Sequence, residues 1–170
     1  MALTIKNTVE HLFKDSPSKL KVAKKMVIYG LSIKNGKVYC NDIEVPYKSI
    51  AKACNVDQRV VKSTVESILS NKDILNIFSK LEASVNLKDV AGEIGFGVLV
   101  ISAYDPKEPG IIAAVSKIIA DFKINIRQAI VEDPEFIDEP KLYIITEETL
   151  PGEIIPKIKN IKNIKSITIL

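Results

Sequence analysis

VLVISAY at 98–104, GIIAAVSKIIADF at 110–122, INIRQAIVE at 124–132, KLYIITE at 141–147, GEIIPKIK at 152–159 and IKSITIL at 164–170 succeed one another in this chain. Short β-branched runs alternate with longer amphipathic ones, which predicts the order βαββαβ. Such an order builds a four-stranded antiparallel sheet with both helices on one face, a ferredoxin-like sandwich. Ile, Val and Tyr occupy both sides of these strands. The face away from the helices is therefore expected to be buried too, against a second subunit or a neighbouring domain.

Ahead of this domain, residues 85–97 hold a short amphipathic piece and then GEIGFG at 92–97, three of the chain's 7 glycines. This composition predicts a linker. It is no dinucleotide-binding loop, because a strand follows it where that fingerprint needs a helix. Residues 1–84 read as mostly helical. Thr4 caps a first helix carrying Ile5, Val9, Leu12 and Phe13, and Ser16-Pro17 opens a second that runs to Gly30. Asn35-Gly36 between LSIK (31–34) and KVYC (37–40) predicts a β-hairpin, since both turn residues must take positive φ. VPYKSIAKACNVDQRVVKSTVESIL (45–69) reads as two helices joined at Asn55, and ILNIFSKL (74–81) as a further helical piece. The expected fold class is α+β: a helix-turn-helix-like domain with a β-hairpin over 1–84, and a βαββαβ domain over 98–170.

In a helix-turn-helix, one helix props the next into the DNA major groove. Ile50, Ala51, Cys54, Val56, Val61 and Val65 or Thr64 supply the required apolar points, and Asn55 tolerates the left-handed turn. Asp57 caps the second helix, leaving Gln58, Arg59, Lys62 and Ser63 on its forward face. Arg grips guanine, Gln reads adenine, and Lys or Ser holds phosphate. Lys48 and Lys52 on the preceding helix add backbone contacts.

Asp105-Pro106-Lys107-Glu108-Pro109-Gly110-Ile111 links the first strand of the βαββαβ domain to its first helix, and Asn125 starts the second strand. Through this DxxxPG turn and the "IN-I" start of strand two, residues 98–170 resemble an ACT domain, a regulatory module of amino-acid metabolism. The whole chain resembles a family of amino-acid-metabolism regulators that join a domain of the N-terminal kind to one ACT domain. A new helix attracts a carboxylate through its free N–H groups, and glycine lets the backbone approach closely. Both readings imply a free amino acid as ligand. Its carboxylate sits on the amides near Gly110 and Ile111, next to Pro109, its ammonium on Asp105, with polar contacts from Asn125, which a dimer could supply from its other copy. A plain strand-to-helix turn capped by Asp105 explains the same residues without a ligand.

The net charge of +3 divides unevenly, with 14 Lys and Arg against 7 Asp and Glu in residues 1–80, and 10 against 14 in 81–170. A basic half suits a polyanion. Cys40 and Cys54 form no CxxC, and His11 is the single histidine, so no zinc-ligand or disulfide pattern arises and no cofactor is expected. EDPEFIDEP at 132–140 lacks calcium-loop spacing and reads as a solvated connection. No membrane-length apolar run and no signal-peptide core are present, so a cytoplasmic protein is expected. Ser/His/Asp and Cys/His sets are missing, as is a convergent Arg, Lys and Glu constellation of the kind a small helical mutase needs, and no enzyme is expected. The resulting expectation is an amino-acid-responsive transcription regulator whose partners are a free amino acid, double-stranded DNA and a second copy of itself. The alternative is a detached regulatory subunit that docks on a biosynthetic enzyme.

Overall fold

A computed structural model describes residues 4–170; residues 1–3, the start of the expected first domain, lie outside the described residues. The fold is α+β, with seven α-helices and two antiparallel sheets among the described residues. The chain divides into two compact units, the first ending at Ser84 and the second spanning Val85–Leu170.

In the first unit, helix α1 (Ile5–Leu12) begins at Thr4, whose hydroxyl accepts from the Asn7 N–H at 3.2 Å. Helix α2 (Pro17–Ile28) follows, with proline in its first turn where no backbone donor is lost. Strands β1 (Leu31–Lys34) and β2 (Lys37–Cys40) meet through Asn35 and Gly36, at φ 50° and 74°. A third strand, β3 (Ile43–Val45), extends the expected hairpin to a sheet ordered β1-β2-β3. At three residues it is too short to show the alternation that marks a strand in sequence. Helices α3 (Tyr47–Cys54), α4 (Gln58–Leu69) and α5 (Lys72–Phe78) complete the unit. Its core gathers Val9, Phe13, Met26, Ile33, Val61, Ile68 and Phe78 from helices and sheet alike.

In the second unit, β4 (Gly97–Ala103), α6 (Ile111–Asp121), β5 (Ile126–Val131), β6 (Lys141–Thr146), α7 (Ile154–Lys159) and β7 (Ile164–Ile169) form a four-stranded sheet ordered β5-β6-β4-β7. All pairings are antiparallel, the ferredoxin-like arrangement. Val115 and Ile119 of α6 and Ile154 and Ile158 of α7 pack on Leu99, Ile101, Leu142 and Ile144, so both helices cover one face.

Residues 85–97, expected as a linker, instead belong to this second unit. Leu87, Ala91 and Phe96 pack on Val98, Val100, Ile130, Tyr143 and Ile145, the sheet face away from the helices. The chain thus covers part of the apolar surface that was expected to need another subunit or domain. Gln128 of β5 fixes the segment, accepting from the Leu87 N–H at 3.0 Å and donating to the Val85 carbonyl at 2.7 Å. A 3-10 turn at Gly92–Ile94 ends in Gly95 at φ 77°, the bend that returns the chain into β4.

Candidate functional site

Where β4 gives way to α6, a cavity of about 480 Å³ opens between the helix start and the ends of β5 and β6. Ile101, Ala103, Ile111, Val131 and Leu142 form its apolar wall, and Pro106, Pro109, Gly110 and Pro140 close its rim. Its charged lining residues are Glu108, Glu132 and Lys141. Gly110, the cap residue of α6, lies at φ 95°, and no side chain caps the helix. The amides of the first turn, which no helix pairs internally, are therefore free to meet an acceptor. Gly110 is required for its conformation and not for close approach, because a Cβ there would meet nothing within 4 Å.

The turn brings Pro109, Gly110 and Ile111 together at the cavity and keeps Asp105 out of it. The Asp105 carboxylate accepts from the Lys107 N–H at 2.9 Å, an Asx-type turn, while Asn163 holds its main chain, accepting from the Asp105 N–H at 2.9 Å and donating to its carbonyl at 2.6 Å. One oxygen of the Asp105 carboxylate thus closes the turn locally. Asn125 is not brought to the cavity either. It precedes β5 while Val131 and Glu132 follow at the cavity end, six residues on and about 20 Å away at strand rise. Within one chain it is not a neighbour of Gly110.

Glu108 and Glu132 both border the cavity, but their carboxylates have different partners. Glu108 is 3.6 Å from Lys162, and Glu132 accepts from the Lys141 N–H at 3.1 Å and is 4.0 Å from Lys88. Glu108 was legible inside the DxxxPG motif. Glu132 lies two residues after Ile130, so strand alternation and its contact with Lys88, which sits over Tyr143, place its carboxylate on the sheet face away from α6.

In the first unit, α3 and α4 meet through Asn55, the left-handed cap of α3 at φ 52° and ψ 54°. Ile50, Ala51, Cys54, Val61, Thr64 and Val65 are buried, and Val56 is half-buried. Asp57 caps α4, accepting from the Arg59 N–H at 2.8 Å, and also binds the Arg59 guanidinium, with Nε donating to Oδ1 at 2.9 Å. That pairing holds the Asp57 carboxyl below its usual range and raises the guanidinium further. Gln58, Arg59, Lys62, Lys48 and Lys52 are exposed. Ser63 departs from the expected forward face: it is half-buried, and its carbonyl lies 3.5 Å from Lys19 Nζ on α2. The 100° step per residue turns it away from Lys62 and toward α2. Glu66 shares the exposed face, 3.9 Å from Lys62.

No helix among the described residues is long and apolar enough to cross a membrane. No protein-family model matches the chain. No curated protein matches it in sequence. Among solved structures, a transcriptional regulatory protein from Pyrococcus furiosus, a member of the ASNC family, aligns over 100% of this chain and 88% of that chain, at 9% identity and a TM-score of 0.27. Similarity at this level supports no conclusion about the present chain.

Proposed function

We propose that the protein is an amino-acid-responsive regulator of transcription, taking a free amino acid in the second unit and duplex DNA on the first. The observation that carries this reading is the cavity at the start of α6, where an uncapped helix start, an apolar wall and the Glu108 side chain meet. The ligand carboxylate meets the first-turn amides near Ile111, its ammonium meets Glu108, and its side chain lies against Ile101, Val131 and Leu142. The resemblance of residues 98–170 to an ACT domain agrees with this assignment. On the first unit, α4 enters the major groove with Gln58, Arg59 and Lys62, and Lys48 and Lys52 meet phosphates.

Two copies pairing through the second unit would present two α4 helices to adjacent half-sites. The strands β5 and β7 edge the four-stranded sheet, so each leaves one side unpaired for such a contact. The bound amino acid then changes the affinity of the pair for DNA, and DNA changes the affinity for the amino acid by the same factor.

A thermal-unfolding panel of the twenty amino acids tests the ligand half. One or two amino acids should raise Tm by several degrees at about 100 times their dissociation constant, equivalent to about 2.7 kcal/mol. Unchanged Tm across the panel would remove the amino-acid site.

A second reading, a regulatory subunit docking on another protein, is favoured by the mixed charge of α4. Arg59 is held by Asp57 and Lys62 lies beside Glu66, which suits a protein surface as well as a phosphate backbone. Absence of salt-dependent duplex binding would select it.

A further inference from the structure

Away from the cavity at α6, a second depression of about 390 Å³ lies between α2 and α4, lined by Ser16, Ser18, Lys19, Arg59, Val60 and Ser63, with Pro17 at its edge. Two of these side chains are cations, three are hydroxyls and none is a carboxylate. Lys19 is half-buried, and its ammonium donates only to neutral oxygens, the Ser67 hydroxyl at 3.1 Å and the Ser63 carbonyl at 3.5 Å. Among the described residues it has no ion-pair partner within 4 Å. Arg59 borders the same depression with its guanidinium steered by Asp57, which engages Nε at 2.9 Å and Nη2 at 3.3 Å. Five N–H donors on a guanidinium leave three for another acceptor. The Ser16 hydroxyl makes no capping hydrogen bond to α2.

Arg59 is exposed and already paired with Asp57, so the depression carries one uncompensated positive charge, the half-buried Lys19 ammonium, which an anion seated there would balance. A phosphate oxygen takes charge-assisted hydrogen bonds from both cations and ordinary ones from the hydroxyls. We infer that this depression, built from Lys19, Arg59, Ser16, Ser18 and Ser63, is a seat for one phosphate group, supplied by the backbone of duplex DNA. The source of the phosphate rests on the DNA-binding reading above; the seat itself does not. It adds three residues of α2 and its approach, Ser16, Ser18 and Lys19, to a surface so far confined to α3 and α4. It also assigns Ser63 a purpose that its inward turn denies it as a base reader. Such a contact fixes how α4 lies on the duplex and carries no sequence preference.

Inorganic phosphate titrated into the full-length 15N-labelled protein tests the seat directly. Saturable shifts are expected at the amides of Ser16, Ser18, Lys19 and Ser63, absent in Lys19→Gln and in Ser18→Asp, whose carboxylate repels the anion from an exposed position. No shift in the wild-type protein, or equal shifts in both variants, would overturn the seat whatever the protein does with DNA. On a duplex selected by the protein from a random pool, Lys19→Gln should flatten the slope of log K against log salt by about 0.9, one phosphate contact, for every sequence alike. Lys117→Gln, exposed on α6, should leave it unchanged. An unchanged slope in Lys19→Gln would refute the DNA backbone as the source. Saturable phosphate shifts without any duplex binding would leave the seat standing and remove the DNA reading instead.

Discussion

At Gly110 the backbone sits at φ 95° in open space, whereas a Cβ at Gly97 would lie 2.6 Å from Thr146 Oγ1 and 2.7 Å from the Glu148 carbonyl. The two glycines therefore fail differently. Gly110→Ala should cost about 1–2 kcal/mol, the penalty of a left-handed L-residue, with the sheet intact. Gly97→Ala should cost more, because backbone as well as a side chain must move. Urea unfolding of both variants checks the order, and a smaller loss at Gly97 would contradict the packing described. The cysteines separate in the same way. Burial pushes the Cys54 thiol up, so it carries less thiolate at neutral pH, while Cys40 is half-buried. Iodoacetamide should modify Cys40 in the folded protein and Cys54 only as it unfolds. Since the folded Cys54 holds its proton more tightly than the unfolded one, its contribution to stability is lost as pH rises through the folded value. Individual residues were legible in sequence wherever their role is local: Asn35-Gly36, Asn55 and Asp57 each act within a turn of themselves. The hold of Asn163 on the Asp105 main chain was not legible, because it spans 58 residues and no local pattern announces it.

Helix α4 begins on an exposed carboxylate, and this makes its first turn sensitive to acid. The hydrogen bonds from Arg59 lower the Asp57 carboxyl, so the cap is whole above the ordinary carboxylate range and is lost as pH falls through the folded value. The protection factor of the Arg59 amide should fall only below the ordinary carboxylate range, as Asp57 takes up its proton, and Asp57→Asn should remove that pH dependence while retaining an acceptor. The same element-level reasoning applies to the segment on the open sheet face. Gln128→Ala removes both bonds to Val85 and Leu87, and exchange at the Leu87 amide should then approach that of an unprotected loop. Retained protection would mean that Leu87, Ala91 and Phe96 hold the segment without the clamp. Strands and helices of the second unit were readable from period alone, since each is long enough to repeat. The cover segment was not, because its apolar residues fall at irregular intervals and its anchor lies in another strand. Strand β3 escaped notice through its length of three residues.

At the scale of the molecule, charge and chemistry separate along the chain. The basic residues gather in the first 80 positions, and the ligand cavity lies wholly within the second unit, lined by residues from Ile101 to Leu142. Neither feature alone makes a regulator. Regulation needs the two to communicate. Occupancy of the cavity must alter affinity for DNA, by the 5–150-fold that couplings of about 1–3 kcal/mol produce. The binary division into units was foreshadowed by composition, whereas the coupling lies in no sequence pattern and must be measured. The most direct measurement is fluorescence anisotropy of a duplex selected by the protein from a random pool, titrated with protein in the absence and presence of the amino acid that raises Tm. Duplex affinity should shift by at least about fivefold, the shift should be lost in Glu108→Gln, and amino-acid binding should change by the same factor when DNA is present. Duplex affinity identical with and without a bound amino acid would contradict that coupling.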